Sequence, residues 1–118
     1  MSRALLIAAL FAACDEKDVD TGQDSGGLCA DVPLVNYDNF GEGFINHLCQ
    51  GCHASTTPNR YGAPEDTTFD TVEEVWAWQE RILARAAADA PTMPPAGGTS
   101  EDDRTRLRWW LECAEPGT

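Results

Sequence analysis

The chain has 118 residues, with 8 Lys and Arg against 20 Asp and Glu and a formal net charge of -12. That length builds one small domain and not two. That charge repels nucleic-acid phosphates, which excludes nucleic acid as a partner, and it repels anionic lipid headgroups too. A redox or other protein partner with a basic docking face suits it, although an acidic surface also serves solubility alone.

Residues 1–13 read as a secretory signal: a basic start at Arg3, then ten apolar residues, too few to span a bilayer as a lasting helix. The run ends Phe11-Ala12-Ala13-Cys14, two small residues before a cysteine. This resembles a bacterial lipoprotein box, with Cys14 as the lipidated first residue of the mature protein. A plain cleaved signal that ends near a cysteine is the simpler alternative. Cleavage removes Arg3 and leaves the chain one unit more negative. Residues 14–28 then form the lipid-attachment site and an acidic tether, in which Val19 is the one apolar side chain between Asp15 and Gly27. Thirteen coil residues span about 20 Å. The expectation is export to the periplasmic side or cell surface, with the membrane touched only through the lipid. Residues 29–118 make the folded domain.

The first predicted helix covers residues 38–49. Tyr37, Phe40, Phe44 and Leu48 recur at spacings of three and four and make one apolar stripe. Gly41 and Gly43 weaken it by about 1 kcal/mol each relative to alanine, a cost that points to close approach of another backbone or ring. His47 reads as a surface histidine.

Cys49-Gln50-Gly51-Cys52-His53 follows, a C-x-x-C-H run. This is the pattern of covalent haem attachment. Two thiols at this spacing can add to the two vinyl groups of one porphyrin edge, and the next histidine can ligate the iron from the same side. A redox dithiol would belong in a βαβ setting, and the flanks show no strand–helix alternation. A structural zinc site would need a fourth ligand, and no second C-x-x-C or His pair exists.

Residues 54–69, rich in Thr, Pro and Gly, read as a loop. Arg60 is its only cation and a candidate for a haem propionate contact. Pro64, or a neighbour, is a candidate carbonyl for the second nitrogen of His53, the kind of bond that fixes ring orientation. A second helix is predicted from an Asp70 N-cap with Glu73 three residues on, carrying Val72, Val75, Trp76, Gln79, Ile82, Leu83 and Ala86 at helical period. Ala90-Pro91-Thr92-Met93-Pro94-Pro95 then makes a stiff, extended loop. Met1 leaves with the signal, so Met93 is the one candidate for a methionine ligand on the opposite side of the iron. Its other role would be to fill a core gap. A third helix starts at Ser100 with Glu101, Asp102 and Asp103 in its first turn. Leu107, Trp110, Leu111 and Ala114 form its buried face. Arg104, Arg106 and Arg108 share no face and read as solvated.

Five cysteines are an odd number for an exported chain. With Cys14 on lipid and Cys49 and Cys52 on haem, Cys29 and Cys113 remain for a disulfide in an oxidising compartment. Two buried free thiols are the alternative.

From 36 to 115 the chain resembles the single-haem class I c-type cytochromes, especially short bacterial ones that end in a Met-Pro-Pro loop and a final helix. The likeness rests on the C-x-x-C-H run at 49–53 and Met93-Pro94-Pro95 before a capped helix. The cysteine pair and the lipid-tethered leader are additions to that module. The resemblance implies an all-α fold, a small bundle of three or more helices wrapped around one covalent haem c held by His53 and Met93. It also implies that Gly41 or Gly43 sits under an aromatic of the last helix, Trp110 foremost. The function expected is single-electron transfer between redox proteins, a carrier and not an enzyme. The rival is a haem-based sensor or peroxidase-like enzyme in which Met93 is not fixed on the iron.

Overall fold

A computed structural model describes residues 27–118. The signal segment 1–13, Cys14 and the tether up to residue 26 lie outside the described residues. Within them the fold is all-helical: a π-helical turn Tyr37–Gly41, α1 (Glu42–Leu48), α2 (Gln50–His53), α3 (Val72–Ala77), α4 (Gln79–Ala86) and α5 (Glu101–Cys113), with no strand among the described residues. No helix among them is long and apolar enough to cross a membrane.

Asn36 opens the first unit. Its side chain accepts the Asn39 N–H at 2.9 Å, and the Asn39 side chain accepts the Asn36 N–H at 2.9 Å. These reciprocal bonds satisfy donors that a helix start leaves orphaned. The helix predicted over 38–49 is therefore present but not uniform. It begins wide, with the Gly41 N–H reaching back to Asn36 O at 3.0 Å, and it breaks at Cys49 (φ −116°) before α2.

The second predicted helix is corrected in two places. Its N-cap is Thr71, whose side chain accepts the Glu74 N–H, while the Glu74 carboxylate accepts the Asp70 N–H at 2.7 Å. The cap thus sits one residue later than predicted, without a closed capping box, and the Asp70 carboxylate is engaged elsewhere: it accepts the Ser55 N–H at 3.0 and 3.2 Å. A turn at Trp78 (φ −104°, ψ 11°), the residue that falls off the apolar stripe, then splits α3 from α4. Val75, Ile82 and Ala86 are buried as their period requires. Gln79, on the same stripe, donates its side-chain N–H to Leu111 O and so ties α4 to α5.

Ser100 caps α5 as expected. Its hydroxyl accepts the Asp103 N–H at 3.0 Å, and Asp103 accepts both the Ser100 N–H (3.0 Å) and the Ser100 hydroxyl (2.8 Å). Leu107, Trp110 and Leu111 are fully buried. Each such side chain is worth about 1.5–3 kcal/mol of burial. The arginines differ from expectation. Arg106 is a solvated pair with Asp102 at 2.9 Å, and Arg108 meets the exposed Asp89 carboxylate at 3.5 Å. Arg104 donates to Thr99 O at 3.1 Å and Arg108 to Ala87 O at 2.9 Å, both half-buried, so they fasten the incoming loop to α5.

Trp110 is the hub of the core. Tyr37, Phe40 and Trp76 surround it with ring centroids at 5.9, 6.4 and 6.4 Å. A Cβ on Gly41 would stand 2.5 Å from the Trp110 ring, whereas Gly43 faces open space. Gly41 is thus the glycine that admits the close crossing of α5. A Cys29–Cys113 disulfide, with Cα atoms 5.4 Å apart and 84 positions between them in sequence, joins the two ends of this unit.

Candidate functional site

The site is built on one helical turn. Cys49 O accepts the N–H groups of Cys52 (3.1 Å) and His53 (2.9 Å), so the five residues 49–53 wind tightly. Residues three apart on a helix lie on one side of it, which puts both sulfurs along the same edge. Both thiols are free and partly buried. Burial pushes the Cys49 thiol up to about 12, with Cys52 beside it adding to the effect. Burial thus favours the neutral thiol at Cys49.

His53 is fixed from three directions. Its Nδ1 lies 2.9 Å from Thr67 O. A carbonyl only accepts, so Nδ1 carries a proton, and in the neutral ring that leaves the lone pair on Nε2. Nε2 has no hydrogen-bond partner among the described residues. The ring stacks on buried Phe69, with centroids 4.6 Å apart and planes at 26°. Backbone bonds complete the attachment: the Phe69 N–H donates to His53 O at 3.0 Å, and the Gln50 side chain donates to Phe69 O at 2.7 Å. The expected carbonyl for the imidazole therefore comes from Thr67, three residues beyond Pro64. Phe69 was missed as a site residue. Its one sequence signal is an aromatic closing an otherwise polar loop.

Arg60 lies in that loop, and its guanidinium faces the loop's own backbone. Nε donates to Ala63 O (3.3 Å), Nη1 to Ala54 O (2.8 Å), and Nη2 to both Pro64 O (2.7 Å) and Thr67 O (2.9 Å). Of the five N–H donors of an arginine only one on Nη1 is left for a contact of the propionate kind expected from the sequence.

Met93 stands on the loop between α4 and α5, half-buried against the core. The N–H groups of Thr92 and Met93 both donate to Arg85 O, at 2.8 and 2.9 Å. That pair of bonds anchors the loop to the last turn of α4. The loop leaves through Gly97 and Gly98, both at positive φ (73° and 99°), a conformation that side-chain-bearing residues rarely adopt. His47 is exposed, as expected. It borders an open cleft of about 450 Å³ with Phe40, Phe44, Leu48 and Asp103, and neither Cys49, Cys52, His53 nor Met93 lines it.

Cys49, Cys52 and His53 thus come together on one turn, Thr67, Phe69 and Arg60 support them, and Met93 is held separately by α4. No family model, curated protein or solved structure matches this chain.

Proposed function

We propose that this domain is a one-electron carrier built on a single covalent haem c. The observation that carries the reading is the setting of His53: one ring nitrogen is anchored to a carbonyl and the other has no hydrogen-bond partner among the described residues, one residue after the second of two unbonded thiols. Metal-ligating histidines are oriented in this way by a bond from their second nitrogen. Among the described residues no three His, Cys, Asp or Glu side chains gather around one point.

The residues fit the group. Cys49 and Cys52 would carry the thioether bonds, both being free thiols three residues apart on one turn. His53 would supply one axial ligand through Nε2. Met93, on a proline-stiffened loop tied to Arg85, would supply the other at little ordering cost. When bound, the haem supplies an iron that cycles between ferric and ferrous states. The protein's part would be to hold the iron through His53 and Met93 and to present an acidic surface to basic partners. Lipid on Cys14 would keep the domain at the periplasmic face of a bacterial membrane.

The test is expression of the full chain with the c-type maturation machinery, followed by intact mass and a haem stain on a denaturing gel. Retention of haem after denaturation is the expected result, and a colourless, iron-free product sinks the reading. The oxidised wild type should show the weak methionine-to-iron band of His/Met cytochromes. Met93→Ala should lose that band while keeping the covalent haem, and a band that survives the substitution removes Met93 from the iron.

A further inference from the structure

We propose that Arg60 is a positioning residue for His53, acting through the Thr67 carbonyl. The inference rests on His53 being an iron ligand, as argued above.

Thr67 O receives two donors, His53 Nδ1 and Arg60 Nη2, each at 2.9 Å. A carbonyl oxygen has two lone pairs, so both bonds can form together. Thr67 lies in a segment without regular structure, so its carbonyl is placed by side-chain donors and not by a helix or strand ladder. Its N–H donates to Pro64 O at 3.1 Å, a bond inside the same loop. Phe69, two residues on, is tied to α2 through His53 O and the Gln50 side chain, and Arg60 ties the Thr67 carbonyl itself to Ala54. That guanidinium also holds Ala54 O, on the residue directly after His53. One rigid planar group therefore grips the chain on both sides of the imidazole: at the peptide that follows the ring's own residue, and at the oxygen its Nδ1–H addresses. A lysine would keep the charge but not the fork, because its ammonium is a point donor on a flexible stem. Arg60 is half-buried, which limits competition from water. Its role is thus to fix how the imidazole is turned about its own axis, and not to touch the haem.

The experiment is NMR on the haem-loaded full chain, reading solvent exchange of the His53 Nδ1 proton. Arg60→Gln should speed that exchange about tenfold or more, the scale of losing one charge-assisted hydrogen bond. Arg60→Lys should speed it as well, since charge alone does not rebuild the fork, and it serves as the reading should Arg60→Gln fail to accumulate. Thr57→Ala is the control. It removes a hydroxyl bond to Gly51 O (3.0 Å) from the same loop without touching Thr67 O, and should leave the exchange unchanged. Wild-type exchange in a haem-loaded Arg60 variant overturns the inference, as does an equal acceleration in Thr57→Ala. A wild-type protein without haem overturns instead the functional reading on which this one stands.

Discussion

Gly41→Ala is the most exacting test of the fold, because the structure fixes both its sign and its size. The new Cβ would lie 2.5, 2.6 and 2.8 Å from three carbons of the Trp110 ring. Carbon atoms pack at about 3.5–4.0 Å, so one partner must retreat by about 1 Å. Trp110 has nowhere to go: it is fully buried, ringed by Tyr37, Phe40 and Trp76, and its Nε1–H donates to Thr118 O at 2.7 Å. Overpacking of this kind costs about 1–3 kcal/mol, and loss of the indole bond about 1 more. The better helix propensity of alanine returns about 1. The net is a destabilisation of about 2 kcal/mol, or about 10 °C in Tm for a domain of this size. Thermal unfolding followed by far-UV circular dichroism measures it. Gly43→Ala, two residues on and facing open space, should instead raise stability by about 0.5–1 kcal/mol. A Gly41→Ala protein as stable as wild type, or the two variants behaving alike, refutes the crossing.

Two further outcomes follow from the same geometry. Replacing both Cys29 and Cys113 by serine should lower stability by about 4–5 kcal/mol in the chain-entropy account, read as a fall in urea midpoint that reductant reproduces in the wild type; an unchanged midpoint would show that the bridge contributes nothing. The Asp103 carboxyl is held below its ordinary value of 3.8, first by the Ser100 N–H and then by the Ser100 hydroxyl. A carboxyl with a lowered pKa stabilises the fold above its ordinary value and loses that contribution as pH falls through its folded value. Asp103→Ala should therefore cost about 0.5–1 kcal/mol at neutral pH, the range for an exposed cap, and the gap to wild type should close in acid below 3.8; a gap independent of pH would separate Asp103 from the cap.

What could be read in advance was whatever depends on near neighbours in the chain. Ser100 with Asp103 is a local box, and α5 begins where it says. The motif at 49–53 is one helical turn and needs no distant partner. The two costly glycines pointed only to a close approach of some ring or backbone; Trp110 as the partner came from the resemblance, and neither chose between Gly41 and Gly43. The rest depends on the path of the loop over 54–69, which carries no period. Asp70 looked like a helix cap because nothing in its vicinity reveals that Ser55, fifteen positions back, takes its carboxylate. Arg60 looked free for an anionic group because the carbonyls that occupy it become neighbours only once the loop is closed. The turn at Trp78 is likewise set by packing, since the period of Val75 and Ile82 runs through it without interruption.

The sulfur bridge also decides how this domain bears load. A pull that enters at Gly27 and leaves at Thr118 passes from Cys29 to Cys113 through two sulfur atoms, bypassing the covalent ring that holds every helix between them. The turn at 49–53 and the Met93 loop lie inside that ring. Tugging on the ends would strain the bridge and spare the two candidate ligands.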